Sequence, residues 1–593
     1  MYKPSVMKRR WTSFVVAVTA TMVSLFGASA YASEAVEEEV IEEVIVYGIK
    51  NSLLDAISIK RSNVGIVEAI SAEDFGKFPD GNLAESLARI SGIAIDRSNV
   101  EGQAVAVRGF GPEFNLVTLN GRQMPTVPAQ YGGGRSFNFG DIASPGVSAV
   151  ETYKSSNSAL PSGGIGATIN MVTTKPLSVE GTKQSYSLNF VEDTTSQAGG
   201  QPLEASLLFA TNRDRWGFSL SASYQDRTNR EEGTRESNWI TPEDLQNSEG
   251  YLRVDSSNPA YVNNNLRPDG VTFYQEPSAY LIKDNDRQRI NAQATFQYLL
   301  TDSMTATVDY TTSGVDFASE GTLFGSWLGG WDTTSATISE NGAYTDVVVG
   351  NRGYDHTVTW GDSETDNKSW GFNLLWAVSV SSQLAFDAHV STAVLSGNVF
   401  DNELGFGTDT RANVTSLNGG ESNINTFSYD AVFGPENMLG TSLFMRDGYQ
   451  ENEITQFQFR GSWFTESAGP LKSIDFGVSV AESEFVRQAR ESNYGAVAPS
   501  VDDYDDALFV RTELGNFMNA FNPDLGTDYY FEIDAAAALQ AFSQLNSDLA
   551  SADGNICCDF GGLDSNEQVV EDLNSIYLQF NFEADIANRP LKV

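Results

Sequence analysis

The sequence predicts a mainly β protein: an exported leader, a compact α/β unit, and a long run of strands of the transmembrane-barrel type. Three observations carry this. An amino-terminal secretory signal takes the chain out of the cytoplasm. From Asn51 to about Leu177 short strands alternate with a capped helix and tight turns. Beyond Leu177 apolar and polar residues alternate with a period of two in one segment after another.

Lys3, Lys8, Arg9 and Arg10 form a basic n-region, and Phe14 to Phe26 an apolar h-region. Ala30-Tyr31-Ala32 offers a small-x-small cleavage site before Ser33, with Ala28-Ser29-Ala30 as the alternative. The apolar run is too short to cross a bilayer as a helix. Residues 1–32 are therefore expected to be a signal peptide, followed by an acidic segment over 33–50. Inside that segment lies Glu42-Glu43-Val44-Ile45-Val46-Tyr47-Gly48, apolar and β-prone, with nothing beside it to form a core. A strand-former without a sheet is suited to adding an edge strand to a partner; the bland alternative is a frayed terminus.

Composition narrows the function. The formal net charge is −41, from 37 Lys+Arg against 78 Asp+Glu over 593 residues, which argues against nucleic acid. The two cysteines, Cys557 and Cys558, are adjacent, so there is no disulfide scaffold. His356 and His389 are the only histidines, too few for a Cys/His zinc site and for the commonest general base. No nucleophile–base set stands out, so the sequence points to no enzyme, cofactor or metal. The run Asp502-Asp503-Tyr504-Asp505-Asp506 has carboxylates enough for Ca²⁺ but lacks an EF-hand's spacing and glycine, and a solvated loop is the preferred reading.

Within the α/β unit, Asn82 is placed to cap a helix, with Glu85 at the capping-box position. Leu83, Leu87 and Ile90 form its apolar stripe, and Gly92 stops it. Strands are expected at Ile93–Asp96, Ala104–Val107, Leu116–Leu119, Val150–Tyr153 and Thr168–Val172, with a tight turn at Asn120-Gly121. Met124 to Gly140, rich in Gly, Pro and Gln, reads as a long loop.

The order of short motifs here is specific. Val107-Arg108-Gly109-Phe110, Leu119-Asn120-Gly121-Arg122, Val150-Glu151-Thr152-Tyr153-Lys154 and Gly163-Gly164-Ile165-Gly166-Ala167-Thr168-Ile169-Asn170 resemble the plug of TonB-dependent outer-membrane receptors, over roughly residues 40 to 178. Ile70 to Asp80 and Gly111-Pro112-Glu113-Phe114-Asn115 look like the Caulobacter/Xanthomonas-type subgroup. Gly163 to Gly166 lacks the Lys-Ser/Thr of a phosphate loop, so turn glycines are the better reading. The resemblance makes Glu43, Val44, Ile45, Val46, Tyr47 and Gly48 a TonB box, gripped by the periplasmic TonB energy-coupling complex. It implies a small α/β plug domain over 51–178, inside a transmembrane antiparallel β-barrel over 179–593.

Beyond Leu177, Phe218, Leu220, Ala222 and Tyr224 alternate with Gly217, Ser219, Ser221 and Ser223, and Ile290 to Tyr298 alternate with Asn291 to Gln297. Met304–Tyr310, Leu384–Val390, Ile474–Val480 and Ile576–Phe582 repeat the pattern, which is that of a lipid-facing and a wet face. A soluble sandwich would show the same alternation. Loop-like stretches intervene between Gln225 and Arg289, from Gly314 to Tyr354, Asn398 to Glu453 and Glu484 to Val569. About ten to twelve strands are counted, against 22 in plugged outer-membrane transporters, so the barrel is expected to be incomplete in this chain, as a fragment or a truncation.

The resemblance implies a Gram-negative outer-membrane protein, in contact with lipid and lipopolysaccharide, that imports a small to medium solute. Arg108 and Lys154 occupy the plug positions where the family has arginines that pair with barrel carboxylates; Lys154 departs from that pattern and loses the bidentate fork. Glu571 is the candidate barrel partner. Arg97, Arg122, Gln123, Tyr131 and Arg135 follow plug strands toward the outer face and are candidate ligand contacts. Trp327 and Trp331 are suited to stacking on a sugar ring or to a membrane girdle. An oligosaccharide is the expected cargo. An iron–siderophore or cobalamin receptor, and a truncated non-transporting or surface-binding paralogue, are the alternatives.

Overall fold

The computed structural model describes residues 52–63, 65–72, 82–98, 101–127, 135–195, 202–236, 239–240, 261–262, 274–275, 278–326, 333–338, 344–397, 401–417, 426–465, 469–493, 501–519, 525–545, 563–586 and 589–592. The chain divides into Met1–Asn51 and Ser52–Val593, and only the second unit contains described residues. The signal, the TonB box, Tyr131, Trp327, Trp331 and the cysteine pair lie outside them.

An inner domain comes first. A helix over 52–62 precedes β1 (Val67–Ser71), the helix Leu83–Leu87, β2 (Ile93–Ser98), β3 (Glu101–Val107), β4 (Asn115–Leu119), β5 (Arg122–Gln123), β6 (Val147–Tyr153) and β7 (Ala167–Thr173). The sheet runs β1-β6-β7-β4-β5, with β4 and β7 parallel, while β2 and β3 form a separate hairpin. Each strand expected in this region lies inside an observed one. Asn82 caps its helix by accepting from the Ala84 amide at 2.7 Å, and its own amide donates to Gly102 at 2.9 Å. Glu85 does not close a capping box; its carboxylate is taken by Arg97. Leu83, Leu87 and Ile90 are buried as their spacing requires, with Val107, Ile169 and Met171 opposite them. Asn120 and Gly121 both have positive φ, 55° and 81°, the signature of the tight turn that reverses β4 into β5.

A wall of long antiparallel strands follows: β8 (Thr182–Phe190), β9 (Leu203–Arg213), β10 (Trp216–Glu236), β11 (Ser278–Thr301), β12 (Met304–Ser326), β13 (Asp355–Ser379), β14 (Ser382–Gly397), β15 (Met438–Phe464), β16 (Leu471–Asn493), β17 (Ser565–Ile586) and β18 (Arg589–Lys592). They pair in chain order from β8 to β18, with Asn402–Thr408 added against β13 and β15. Among the described residues β8 and β18 do not pair with each other.

Burial distinguishes this sheet from a soluble sandwich. On β11 the polar set Asn291, Gln293, Thr295 and Gln297 is at most 8% exposed, whereas Phe296 and Tyr298 are 43% and 39% exposed. Trp370, Val390, Val480 and Ile576 on other strands also face outward. Polar residues turned inward with apolar ones turned out is the arrangement of a lipid-embedded wall.

The strands extend well beyond what a bilayer needs. A crossing takes about 9–11 residues, but β15 has 27 and β13 has 25. Much of what the sequence presents as loop, including Asp226–Glu236 and Ser278–Gln288, is strand projecting past the membrane. Outside lipid both faces are wet, so the two-residue period fades.

Between these projecting ends the outer connections fold around a second core. Tyr280 and Phe324 from the wall pack with Tyr354, Phe427, Phe433, Tyr529, Phe531 and Phe542. Tyr354 donates to the Tyr529 carbonyl at 2.6 Å, and His356 Nε2 accepts from the Phe531 amide at 3.1 Å. The acidic run near Asp505 belongs to this cap: Tyr504 is 4% exposed, and Asp505 accepts from the Ala507 amide. Structural capping thus accounts for Asp505.

Candidate functional site

The turn at Asn120-Gly121 places Arg122 at the start of β5, facing the wall. Its Nε donates to Asp387 Oδ1 at 2.7 Å, and one terminal nitrogen donates to Asp309 Oδ1 at 2.6 Å. All three side chains are at most 7% exposed. Burial opposes the charge on Arg122, but Asp309 and Asp387 more than offset it and raise its pKa. Asp309 on β12 and Asp387 on β14 are separated by β13, where Gly371 is the register partner of Asp309. A Cβ on Gly371 would overlap the Arg122 guanidinium. Glycine thus opens a slot in the wall, and a carboxylate stands on each side of it.

A second interlock has the opposite polarity. Glu101, on β3, is 5% exposed and accepts from two wall guanidiniums, Arg287 and Arg289 on β11, the latter at 2.6 Å. Burial opposes ionisation of Glu101, yet the two arginines hold its pKa below the ordinary carboxylate value. Asp141 lies in the same buried region, fully enclosed, with its Oδ1 accepting from Asn138 at 2.9 Å. Burial raises its pKa to about 7, with Glu101 adding to the rise while Arg289 and Asn367 oppose it. Nearby, the Ala143 amide donates to Asn291 Oδ1 at 3.1 Å.

The expected latch therefore needs correcting. Arg108 is exposed and donates to the Lys154 carbonyl at 2.9 Å, while Lys154 Nζ donates to the Ser91 carbonyl at 2.5 Å. Both bonds stay inside the inner domain, because Lys154 lies just past the end of β6 against the turn that follows the helix. Glu571 pairs instead with Arg135, and that pair is largely solvent-exposed. Arg122, expected to touch ligand, is fully engaged by the wall. Of the other candidates, Arg97 bonds Glu85 at the surface, and the Gln123 amide donates to Gln456 at 3.1 Å. Sequence reading missed Glu101, Asp141, Asp309, Asp387, Arg287 and Arg289. The one available signal was charge at inward-facing positions of strands whose wet face is otherwise small or neutral.

Residues 59–168 match the family model of the TonB-dependent Receptor Plug Domain. The inner domain is thus similar to a TonB-dependent receptor plug domain. No curated protein sequence matches the chain. Solved structures align with it weakly. The siderophore receptor PirA from Acinetobacter baumannii is 10% identical over 88% of this chain and 92% of its own, with a TM-score of 0.25. The outer membrane transporter YddB from Escherichia coli is 9% identical over 74% and 79%, with a TM-score of 0.29. A ferric enterobactin receptor from Pseudomonas aeruginosa, PfeA, in complex with enterobactin is 10% identical over 73% and 72%, with a TM-score of 0.28. Scores this low transfer no property to the plug or wall of this chain.

Proposed function

We propose that this chain is a TonB-coupled outer-membrane receptor that imports a solute into the periplasm, an oligosaccharide before any other class. The observation that carries the reading is a plug domain tied into the polar face of a lipid-type wall by two buried charge interlocks. A passive pore has no use for a plug so fastened. The outer membrane holds no ATP and no ion gradient of its own, so uphill import requires mechanical work delivered from the inner membrane. The box at Glu43 to Gly48 is the segment that would receive it, by strand addition to the coupling protein.

The interlocks give the plug two states. Docked, Arg122 and Glu101 are desolvated and paired; displaced, they and their wall partners are hydrated. Buried pairs sit near energetic balance, because desolvation offsets much of the Coulomb attraction. Such a plug can be held firmly and still be moved by a pull.

The net charge of −41 favours a neutral cargo over an anionic iron chelate, which it would repel at long range. Arg97, Gln123 and Arg135, with Tyr131, Trp327 and Trp331, remain the proposed ligand contacts; Arg122 does not. The test uses cells making the receptor, with labelled maltotriose, cellotriose, xylotriose, ferric citrate and cyanocobalamin. One trisaccharide should accumulate, and Ile45→Pro should abolish accumulation while sparing surface binding, because proline removes a ladder donor. Accumulation of ferric citrate or cyanocobalamin alone would replace the oligosaccharide reading, and uptake indifferent to Ile45→Pro would refute coupling.

A further inference from the structure

Arg460 is a wall arginine without a counter-ion. It continues the inward row of β15 that holds Gln456 and Gln458, is half-buried, and forms no ion pair among the described residues. Two carboxylates are its diagonal neighbours. Its register partner on β14 is Ala385, two residues from Asp387, and its partner on β16 is Gly477, two residues from Asp475. Diagonal neighbours on adjacent strands stand about 7–8 Å apart, within reach of a long side chain. Both carboxylates are already engaged, Asp387 by Arg122 and Asn373, Asp475 by Asn581 at 2.5 Å. A cavity of about 520 Å³ between plug and wall is lined by Arg460, Arg122, Asp309, Asp387 and Asp475, so open space adjoins all five. The third cation on its lining, Lys175, is exposed.

The plug meets Arg460 at the same turn that carries Arg122. A Cβ on Gly121 would lie 3.8 Å from a terminal nitrogen of Arg460, and the Gly121 carbonyl accepts from Gln458 at 3.4 Å. Withdrawal of that turn therefore empties the slot and uncovers Arg460 in one movement. We propose that Arg460 is the replacement counter-ion of the slot: as Arg122 leaves, the Arg460 guanidinium swings onto Asp387. The proposal rests on the reading above that the plug moves, and assigns what the wall does while it is displaced. Without a replacement, Asp309 and Asp387 stay behind as buried carboxylates with no cation, the costly state of a broken ion pair. Asp475 keeps its amide donor, whereas Asp387 shares its surroundings with a second carboxylate, so the stronger attraction lies toward Asp387. Asp309, two strands further from β15, stays out of reach, and the exchange compensates only part of the cluster.

The test is a mutant cycle on the purified full chain, read as denaturant midpoints and expressed as folding equilibrium constants. It empties the slot by substitution and needs neither solute nor an energised membrane, so its failure is distinguishable from a failure of uptake. Arg460→Gln alone should change the constant by less than about twofold, because the docked Arg460 forms no ion pair. In an Arg122→Ala background the same substitution should lower it about tenfold, the coupling expected of groups brought into contact. Arg460→Lys should keep most of that stabilisation. Adding Asp387→Asn should remove the extra loss, which ties it to this carboxylate and not to Asp475. Gly371→Ala, which displaces the Arg122 guanidinium sterically, takes the place of Arg122→Ala if that variant does not fold. Equal effects of Arg460→Gln with the slot filled and empty would make Arg460 merely structural and overturn the proposal. An extra loss that persists with Asp387→Asn would overturn it too.

Discussion

Gly371 and Arg122 share one space: the wall strand lacks a side chain at the point where the plug's guanidinium lies between Asp309 and Asp387. The absence of a Cβ at one position therefore governs the fit of a residue some 250 positions earlier in the chain.

Gly371→Ala should evict Arg122 without touching a charge. The plug should then become protease-sensitive in an otherwise folded wall, read as cleavage within residues 101–127 of a protein that stays heat-modifiable. Protection equal to that of the parent would mean that the slot is not the docking point.

Arg122→Ala should cost about 3–5 kcal/mol, because it leaves Asp309 and Asp387 buried without a counter-charge. Replacing all three by apolar residues of similar volume should recover most of that loss, since a buried ion cluster is near break-even against packing. Denaturant midpoints of the parent, the single variant and the triple variant decide it, and a triple variant no better than the single would count against the electrostatic account.

Stability should fall as pH rises through the range below 7, because of Asp141. Burial first, and Glu101 next, lift its pKa from the ordinary 3.8 to about 7. Between those values the folded chain holds a proton that the unfolded chain has lost, so folding weakens with rising pH and levels off above 7. Glu101 has the reverse sign: its depressed pKa contributes stability above the ordinary glutamate value and loses it as pH falls. Asp141→Asn should flatten the melting temperature between about pH 5 and pH 7. A slope unchanged by that substitution would show that another group titrates there.

How much of this was legible beforehand depends on where each signal came from. Asn82, Leu83, Leu87 and Gly92 announced their helix because capping and stripe are local. Ser219 and Gln293 announced their faces because a period of two survives wherever one side meets lipid. The projecting ends of β10 and β11 were not legible, since wet strands lose that period. Nor were the interlocks: Arg122 meets Asp387 across 265 positions, and Glu101 meets Arg289 across 188, with nothing local to mark either pair. Arg108 and Lys154 were assigned by resemblance, and their actual bonds stay inside the plug.

The wall faces make a direct comparison possible. Val390→Lys, on the 52%-exposed outer face of β14, should cost about 2–4 kcal/mol in lipid vesicles if it sits near the bilayer midplane. Gln383→Lys on the same strand lines a 520 Å³ cavity between plug and wall and should be nearly neutral. Equal effects would undo the assignment of inner and outer faces.

The central claim is that the docked plug must move for solute to pass. Ser158 of the plug and Gln579 of the wall touch across their boundary and provide the handle. In a background carrying Cys557→Ser and Cys558→Ser, both residues are changed to cysteine and joined by a reducible bifunctional thiol reagent. Uptake of the trisaccharide that the parent accumulates is then measured in energised cells before and after reduction. Tethering should leave surface binding intact and stop accumulation, and reduction should restore it. Full-rate accumulation through a receptor shown to be tethered would contradict the account.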